Sequence, residues 1–498
     1  MSTAESGSSA AHRRWPRALL IIAVLALLTA LWLELWVQRT DPFWLDESWT
    51  GAIVGQRGWI DTFHQIYWDV NAPLYYVLMH LWQGVFGLSD AAMRAPSLIC
   101  AILTPLALIF IPTGALPRAE RLTWAALVAL WFPGLCFAQE ARCYSLLLFV
   151  STLQTLAFLR LMQRPDTGRA AVWAALGSTA ILTHYDAVLL GAVQGVIYLA
   201  VHRMKAVKTW PAALLFLPAF GWLAYHLPRI EAFTRPDIAW YSPLRPYQLW
   251  AVLGYIAGRE PQLWALAFIA TGSLTVRFAW PGRGRFDQPT AAAWYGALAA
   301  TAGALVLIAI GFFRPSFTYR YLTPFAPGLL LGFVLILRLL GARRAHAAFA
   351  ALIVAFAVLS GWALEHMHFR MAPRRYNFER ASAALAQARP QRLVFLWDHP
   401  VDPVLHPEQL AALGGFFLHR SGVPTPVDAV ILKPGEDPNA RLIAEARPPG
   451  SAILWLYDTV VQGTAANRSP PAIAQRDPSW RCRQYGRGRF GVLACTRP

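Results

Sequence analysis

The sequence predicts an all-α polytopic membrane protein with about eleven transmembrane helices and a C-terminal soluble α/β domain. Two observations carry this prediction. The 498 residues are 56% hydrophobic and only 14% charged, whereas soluble proteins carry about 25% charge. The apolar residues also cluster in runs of about 20, which is long enough to cross a bilayer of about 30 Å. We therefore expect a membrane domain over residues 17–364 and a soluble domain over 365–498.

The first apolar run, at 17–37, sets the orientation of the chain. Arg13 and Arg14 precede it and Arg17 begins it, and basic residues near span ends stay in the cytoplasm. The run is too long for a signal-peptide core, so we expect an uncleaved first span after a cytoplasmic segment, 1–16. The later predicted spans are 97–115, 122–138, 143–161, 169–183, 186–203, 209–227, 261–280, 290–312, 322–340 and 346–364.

The segment Pro73–Gly87 is the ambiguous part of this topology. It is apolar but only about 15 residues long, as is typical of interfacial or re-entrant helices. Its tyrosines and Trp82 suit the headgroup level of a membrane. We place it beside the membrane within a first outer loop, 38–96, while twelve or thirteen spans remain alternatives.

The C-terminal segment has the pattern of a small α/β domain. Short β-like runs at Arg392–Trp397, Val427–Leu432 and Ala452–Tyr457 alternate with helical patterns, as expected for strands separated by helices. The helical patterns cover Glu408–His419 and Asn439–Ala446.

The end of this domain predicts a β-hairpin. A type II′ turn at Gly488-Arg489 would place Cys482 opposite Cys495. Facing cysteines in an oxidising compartment can form a disulfide bond. Two unpaired core cysteines are the alternative.

The net charge of +17 is mostly arginine spread over many short loops. A nucleic-acid interface would need a dense basic stripe, so we expect no nucleic-acid partner. Membrane lipid and anionic lipid phosphate are the partners that such loops favour. The chain has five cysteines in no zinc-like spacing, so no structural metal is predicted.

The first outer loop contains the most informative stretch, TDPFWLDESWTGAIVGQRGWIDTFHQIYWDVNAP at Thr40–Pro73. It is rich in carboxylates and aromatic rings although it lies between apolar segments. Ionisable residues beside a membrane are costly and are functional candidates. Other outer turns carry such residues too, and outer arginines favour a phosphate partner because guanidinium pairs with phosphate oxygens.

These motifs, taken in order, resemble a known family. FWLDES, DVNAPLYYVLMHLW, AQEARCYSLLLF, THYDA and TYRYLTPFAP are similar to the signatures of the GT-C glycosyltransferases, in the protein O-mannosyltransferase/ArnT-like branch. The resemblance covers about residues 17–340. It implies a GT-C fold, a polyprenyl-phosphate-linked sugar donor, inversion at the anomeric carbon and an active site on the periplasmic face of a bacterial inner membrane. One departure is Asn71-Ala72-Pro73, which stands where the family has His-Pro-Pro.

The resemblance assigns the catalytic base to Asp46, with Glu47 beside it. A carboxylate can take the acceptor proton, and cations can stabilise the leaving phosphate. The residues expected at the donor phosphate or lipid are Arg94, Arg142, Arg259, Arg314, Arg320 and Tyr321. Those expected at the sugar or the acceptor are Asp69, Asn71, Gln139, Glu140, Tyr144, His184 and Asp186.

Three questions stay open at this level. Asp46, Glu47 and Glu140 could ligate Mg²⁺, and the sequence does not decide whether a metal takes part. The acceptor could be a glycan, a lipid or a protein hydroxyl. An O-antigen ligase or polymerase and a transporter of lipid-linked saccharides are the alternative functions, although a transporter would want polar groups near mid-membrane.

Overall fold

The computed structural model describes residues 5–37, 43–235, 243–257, 288–338, 342–375, 377–398, 404–433, 435–458, 472–486 and 490–497. Helices dominate the part that precedes the C-terminal domain. In chain order they are α1 Glu5–Val37, α2 Leu45–Val54, α3 Trp59–Trp68, α4 Pro73–Phe86, α5 Asp90–Phe110, α6 Arg118–Ala129, α7 Phe132–Phe137, α8 Tyr144–Gln163, α9 Thr167–Thr183, α10 Ala187–His202, α11 Met204–Val207, α12 Leu217–Phe233, α13 Leu249–Ala257, α14 Gln288–Phe313, α15 Ala326–Arg338 and α16 Ala342–Arg375. Short 3₁₀ helices cover Trp210–Phe216, Pro246–Gln248 and Tyr319–Phe325.

Seven helical stretches in the described residues are long and apolar enough to span a membrane. They are Arg17–Leu35, Asp90–Phe110, Tyr144–Gln163, Trp210–Phe233, Thr290–Phe313, Tyr319–Arg338 and Ala345–Leu364. Each overlaps a predicted span, so the helical membrane fold is confirmed. The predicted spans 169–183 and 186–203 are helices of 17 and 16 residues. The predicted span 261–280 lies outside the described residues, so the count of eleven stays a prediction.

The predicted span 122–138 is broken into α6 and α7. Pro133 has no N–H to donate to the carbonyl of Ala129, and its ring would clash with that carbonyl in a continuous helix. The helix accordingly ends at Ala129, and Trp131 adopts an extended backbone before α7 begins.

Helix α8 lies at the centre of the bundle. It packs against α5, α9 and α14, and 78% of its apolar segment is buried. Helix α1 packs against α16, so the first and last of the long apolar helices are neighbours. Helix α4 is a separate 14-residue helix, and its place beside the membrane stays a prediction.

The C-terminal domain is the predicted α/β domain. Its elements are α17 Asn377–Ala388, β1 Arg392–Asp398, α18 Pro407–Arg420, β2 Val427–Val430, α19 Pro438–Glu445, β3 Ser451–Asp458, α20 Ile473–Arg476, β4 Arg481–Tyr485 and β5 Phe490–Thr496. The strand order is β2-β1-β3-β5-β4. Strand β1 is parallel to β2 and β3, whereas β5 is antiparallel to β3 and β4.

The predicted hairpin and its disulfide bond are confirmed. Cys482 pairs with Cys495 across β4 and β5, and a disulfide bond joins them with Cα atoms 4.1 Å apart. The predicted turn at Gly488-Arg489 lies outside the described residues.

The C-terminal domain packs directly on the first outer loop. The ring of Phe416 on α18 stacks on Phe43, with centroids 6.2 Å apart, and it also fills the space beside Gly51 on α2. Trp68 at the end of α3 stacks on His406, with centroids 3.7 Å apart. The soluble domain therefore holds the loop that carries the predicted catalytic residues.

Candidate active site

The site begins at the first turn of α2, where Asp46 and Glu47 are adjacent. Carboxylates are favoured there because the first turn of a helix exposes unpaired N–H groups and the positive end of the dipole. Glu47 accepts a bond from the backbone N–H of Trp44 at 3.3 Å, which helps cap the helix. Consecutive helix residues point about 100° apart, so the two carboxylates face different surroundings.

Glu47 points into the protein and pairs with Arg94 of α5. Arg94 donates from Nε to Oε1 at 2.7 Å and from Nη2 to Oε2 at 2.6 Å. The backbone N–H of Ala141 also donates to Oε1 at 2.8 Å. Glu47 is fully buried and Arg94 is 3% exposed. This pair joins α2, α5 and the turn before α8, and neither charge faces open space.

Asp46 points the other way and pairs with Arg320. Nη1 of Arg320 lies 2.9 Å from Oδ2 of Asp46, and about a quarter of each side chain is exposed. Arg320 comes from the 3₁₀ helix that precedes α15. Its guanidinium lies 5.6 Å from the ring centres of Trp44 and Tyr144, which flank it. Asp46 is thus a partly accessible carboxylate whose direction is set by an arginine.

Arg142 brings a second guanidinium to Asp46. Its Nη1 donates to the backbone carbonyl of Asp46 at 3.2 Å and to Oγ1 of Thr50 at 3.4 Å. The residue is 8% exposed, and its Nε has no hydrogen-bond partner. Arg142 therefore holds a buried positive charge beside the backbone of Asp46.

A hydrogen-bonded turn at Asp69 forms another wall. The hydroxyl of Tyr76 donates to Oδ2 of Asp69 at 2.7 Å, and Nδ2 of Asn71 donates to the same oxygen at 2.8 Å. Asn71 therefore helps to hold the turn, and its contact with the sugar or the acceptor stays a prediction. Tyr76 was not among the predicted site residues, although it bonds to the predicted residue Asp69.

His184 and Asp186 come from the turn between α9 and α10. Nδ1 of His184 lies 3.3 Å from Oδ2 of Asp186 without the geometry of a hydrogen bond. Burial, reinforced by the positive charges of Arg142 and Arg320, lowers the pKa of His184 from 6.5 to about 3. Burial raises the pKa of Asp186 from 3.8 to about 7. His184 is therefore neutral at physiological pH.

Aromatic rings lie beside His184. The ring of His184 lies 4.9 Å from the ring of Tyr321 and 5.7 Å from that of Tyr144. Gln139 and Glu140 lie in the turn before Arg142, where Glu140 is buried and its charge acts on Arg320.

Two predicted arginines are not placed at this site. Arg314 is exposed after the end of α14, and no described contact ties its side chain to Asp46. Arg259 lies outside the described residues.

His226 is a buried residue beside the turn between α9 and α10, and it was not among the predicted site residues. Its Nε2 lies 2.9 Å from the carbonyl oxygen of Tyr67, and its Nδ1 lies 2.7 Å from the hydroxyl of Tyr185. A carbonyl only accepts, so Nε2 donates and Nδ1 accepts from Tyr185. An ionisable residue inside the apolar run 209–227 was the signal that could have found it.

The described residues do not form a metal centre. No three His, Cys, Asp or Glu side chains converge among them. Both oxygens of Glu47 are already occupied by Arg94 and by backbone N–H groups. Asp46, Glu47 and Glu140, which the sequence left as possible Mg²⁺ ligands, therefore do not form a suitable set in this arrangement.

The fold is a helical membrane bundle followed by a small α/β domain, as the resemblance to GT-C enzymes predicted. The chain is similar to ArnT from Cupriavidus metallidurans in the apo state, with a TM-score of 0.58, 15% identity, and coverage of 97% of this chain and 98% of that one. It is also similar to the same protein bound to undecaprenyl phosphate, with a TM-score of 0.55, 14% identity, and coverage of 96% and 98%. No protein-family profile matches the chain, and no curated protein matches it in sequence.

Proposed function

We propose that this chain is an inverting glycosyltransferase that moves a sugar from a polyprenyl-phosphate donor to an acceptor hydroxyl, with Asp46 as the base. The observation that carries the proposal is the ion pair between Asp46 and Arg320 at 2.9 Å. It places a partly exposed carboxylate beside two arginines, which is the arrangement that the chemistry needs. The structural neighbour ArnT was solved with undecaprenyl phosphate, which supports a donor of this class.

The reaction has a simple balance. The acceptor oxygen forms a bond to the anomeric carbon while the bond from that carbon to the phosphate oxygen breaks. The electron pair of the broken bond leaves with the polyprenyl phosphate, and the acceptor proton goes to Asp46. Arg320 and Arg142 stabilise the charge that develops on the phosphate.

The remaining predicted residues take supporting roles in this proposal. Glu47 and Arg94 position α2, because their charges satisfy each other inside the protein. His184, Asp186, Tyr144 and Tyr321 line the space for the sugar or the acceptor. We place the site on the periplasmic face of a bacterial inner membrane, with the short helix α4 lying beside the membrane.

The test is transfer of label from a panel of radiolabelled undecaprenyl-phosphate hexoses and pentoses into a membrane extract. Wild-type protein should label one product. Asp46→Asn should abolish that label while expression and thermal stability stay close to wild type. Asp61→Asn is the matched control, because Asp61 is exposed on α3 and should transfer normally. Wild-type turnover by Asp46→Asn would remove Asp46 as the base.

A further inference from the structure

A groove lies at the opposite end of the bundle from Asp46. Its volume is about 650 Å³, within the range of ligand pockets. Tyr144 at the site begins α8, and Gln163 at the groove ends it. A helix of this length spans about 30 Å, so the groove belongs to the other membrane face.

Helices α8 and α9 run antiparallel and form two sides of the groove. On each helix, the residues that line the groove are apolar toward the site end and basic toward the opposite end. On α8, Leu153, Leu156 and Ala157 are followed one turn later by Arg160 and then by Arg164. This spacing keeps them on one helix face.

On α9, which runs the other way, Arg169 precedes Val172 and Leu176 along the groove. Aliphatic side chains therefore line the deep part of the groove, and three arginines surround its mouth.

The loop at 111–114 forms the third wall and is fixed to α8. Nε of Arg160 donates to the carbonyl of Pro112 at 2.8 Å, and Nε2 of Gln163 donates to the carbonyl of Thr113 at 2.7 Å. These bonds hold Arg160 at the mouth and leave its two terminal nitrogens for another acceptor.

The charge balance at the mouth favours an anion. The nearby carboxylate is Asp166, which caps α9 through the N–H of Arg169 at 2.9 Å and pairs with its guanidinium. Asp166 is not part of the groove lining, and among the described residues no carboxylate pairs with Arg160 or Arg164. Three arginines against one aspartate leave a net positive mouth above an aliphatic trough.

We propose that this groove is a binding site for an anionic phospholipid of the leaflet opposite the active site. The phosphate would lie among Arg160, Arg164 and Arg169, and the upper acyl chains would lie against Leu153, Leu156 and Val172. Val172 is 56% exposed, so this wall is open to a lipid chain. Basic pockets between spanning helices are suited to such headgroups. The site is independent of the proposed transfer reaction.

The experiment is native mass spectrometry of the purified full-length protein with added phosphatidylglycerol or phosphatidylcholine. Wild type should retain phosphatidylglycerol with at least about tenfold higher affinity than phosphatidylcholine, since two or three cations face the headgroup. Arg160→Gln/Arg164→Gln should lose this preference. Lys205→Gln/Lys208→Gln is the matched control, because it removes two charges from exposed residues at the same end of the bundle and outside the groove; it should bind like wild type.

A second variant tests the acyl trough without changing any charge. Val172→Trp should fill the groove and weaken retention of phosphatidylglycerol by at least about tenfold. Inorganic phosphate at equal concentration should not displace the lipid, because it lacks the chains. Equal retention of both lipids by wild type, equal loss in the lysine control, or displacement by inorganic phosphate would each overturn the proposal.

Discussion

The carboxylate of Asp46 lies 2.9 Å from the guanidinium of Arg320, although 274 residues separate them along the chain. The neighbouring carboxylate, Glu47, is fully buried and bonded to Arg94. The two adjacent acidic residues therefore have different environments, because Glu47 is buried in an ion pair and Asp46 is partly exposed. This asymmetry is the reason we assign the base to Asp46 and a positioning role to Glu47.

Arg320→Gln should lower kcat/KM for sugar transfer by about 10²–10³, because it removes both a donor to the phosphate and the partner that orients Asp46. The measurement is the initial rate with the radiolabelled donor that is active with wild type. Arg314→Gln is the matched control, since Arg314 is an exposed arginine close in the chain, and its rate should stay within about twofold of wild type. Equal losses in the two variants would refute a specific role for Arg320.

Glu47→Gln should destabilise the fold by about 3–5 kcal/mol, because it removes the carboxylate that pairs directly with the buried guanidinium of Arg94. Thermal unfolding in detergent measures this loss. The double variant Glu47→Gln/Arg94→Met should be more stable than Glu47→Gln alone, since the buried charge is then gone. Asp46→Asn, at a partly exposed site, should unfold within about 1 kcal/mol of wild type. If Glu47→Gln unfolded at the wild-type temperature, the pair would not be structural.

The lowered pKa of His184 predicts how the stability of the folded protein changes with pH. The pKa of His184 is lowered from 6.5 to about 3, so the unfolded chain binds a proton below pH 6.5 that the folded chain does not. Protonation of His184 in the unfolded chain therefore leaves the free energy of unfolding unchanged above pH 6.5. It lowers that free energy as the pH drops toward 3, by about 2 kcal/mol at pH 5. His184→Gln should therefore gain stability relative to wild type as the pH is lowered from 8 to 5.

The raised pKa of Asp186 changes the free energy of unfolding with pH in the opposite direction, so Asp186 serves as the control. Its pKa is raised from 3.8 to about 7, so the folded chain binds the extra proton between these values. That contribution is present at low pH and is lost as the pH rises to 7. Asp186→Asn should therefore gain on wild type as the pH rises from 4 to 7. Parallel pH profiles for wild type and both variants would contradict these assignments.

The contact between Gly51 and Phe416 predicts that the C-terminal domain positions α2, the helix that carries the candidate base Asp46. A Cβ atom at Gly51 would lie 2.2 Å from Cζ of Phe416, so Gly51→Ala must displace the Phe416 ring, α2 or α18. We expect transfer activity to fall about tenfold or more, because small misplacements of a catalytic group are costly. Phe416→Ala in the same chain should restore part of the activity by removing the ring.

Gly84→Ala is the matched control for Gly51→Ala. It lies on α4 in the same outer loop, and an added Cβ there would meet nothing within 4 Å. Activity close to wild type is expected from this variant. Normal activity of Gly51→Ala would show that α2 does not depend on this contact.

Local chemistry was sufficient to predict much of the C-terminal domain. The run Arg392–Trp397 became a strand one residue longer, because a short apolar run bounded by turn residues has few alternatives. The pairing of Cys482 with Cys495 followed from antiparallel register, which depends on only about 16 consecutive residues. The break at Pro133 was also local, yet we predicted a continuous span there because hydropathy averages over a single proline.

The sequence by itself determined the class of fold, the apolar helices, the soluble domain and the stretch that contains the candidate base. Only the tertiary structure decided that Glu47 bonds Arg94 while Asp46 bonds Arg320, and that Asn71 bonds Asp69. Helical periodicity shows that neighbouring residues point in different directions, but it does not show what lies in each direction. That depends on which distant helices pack together, and packing is a property of the whole chain.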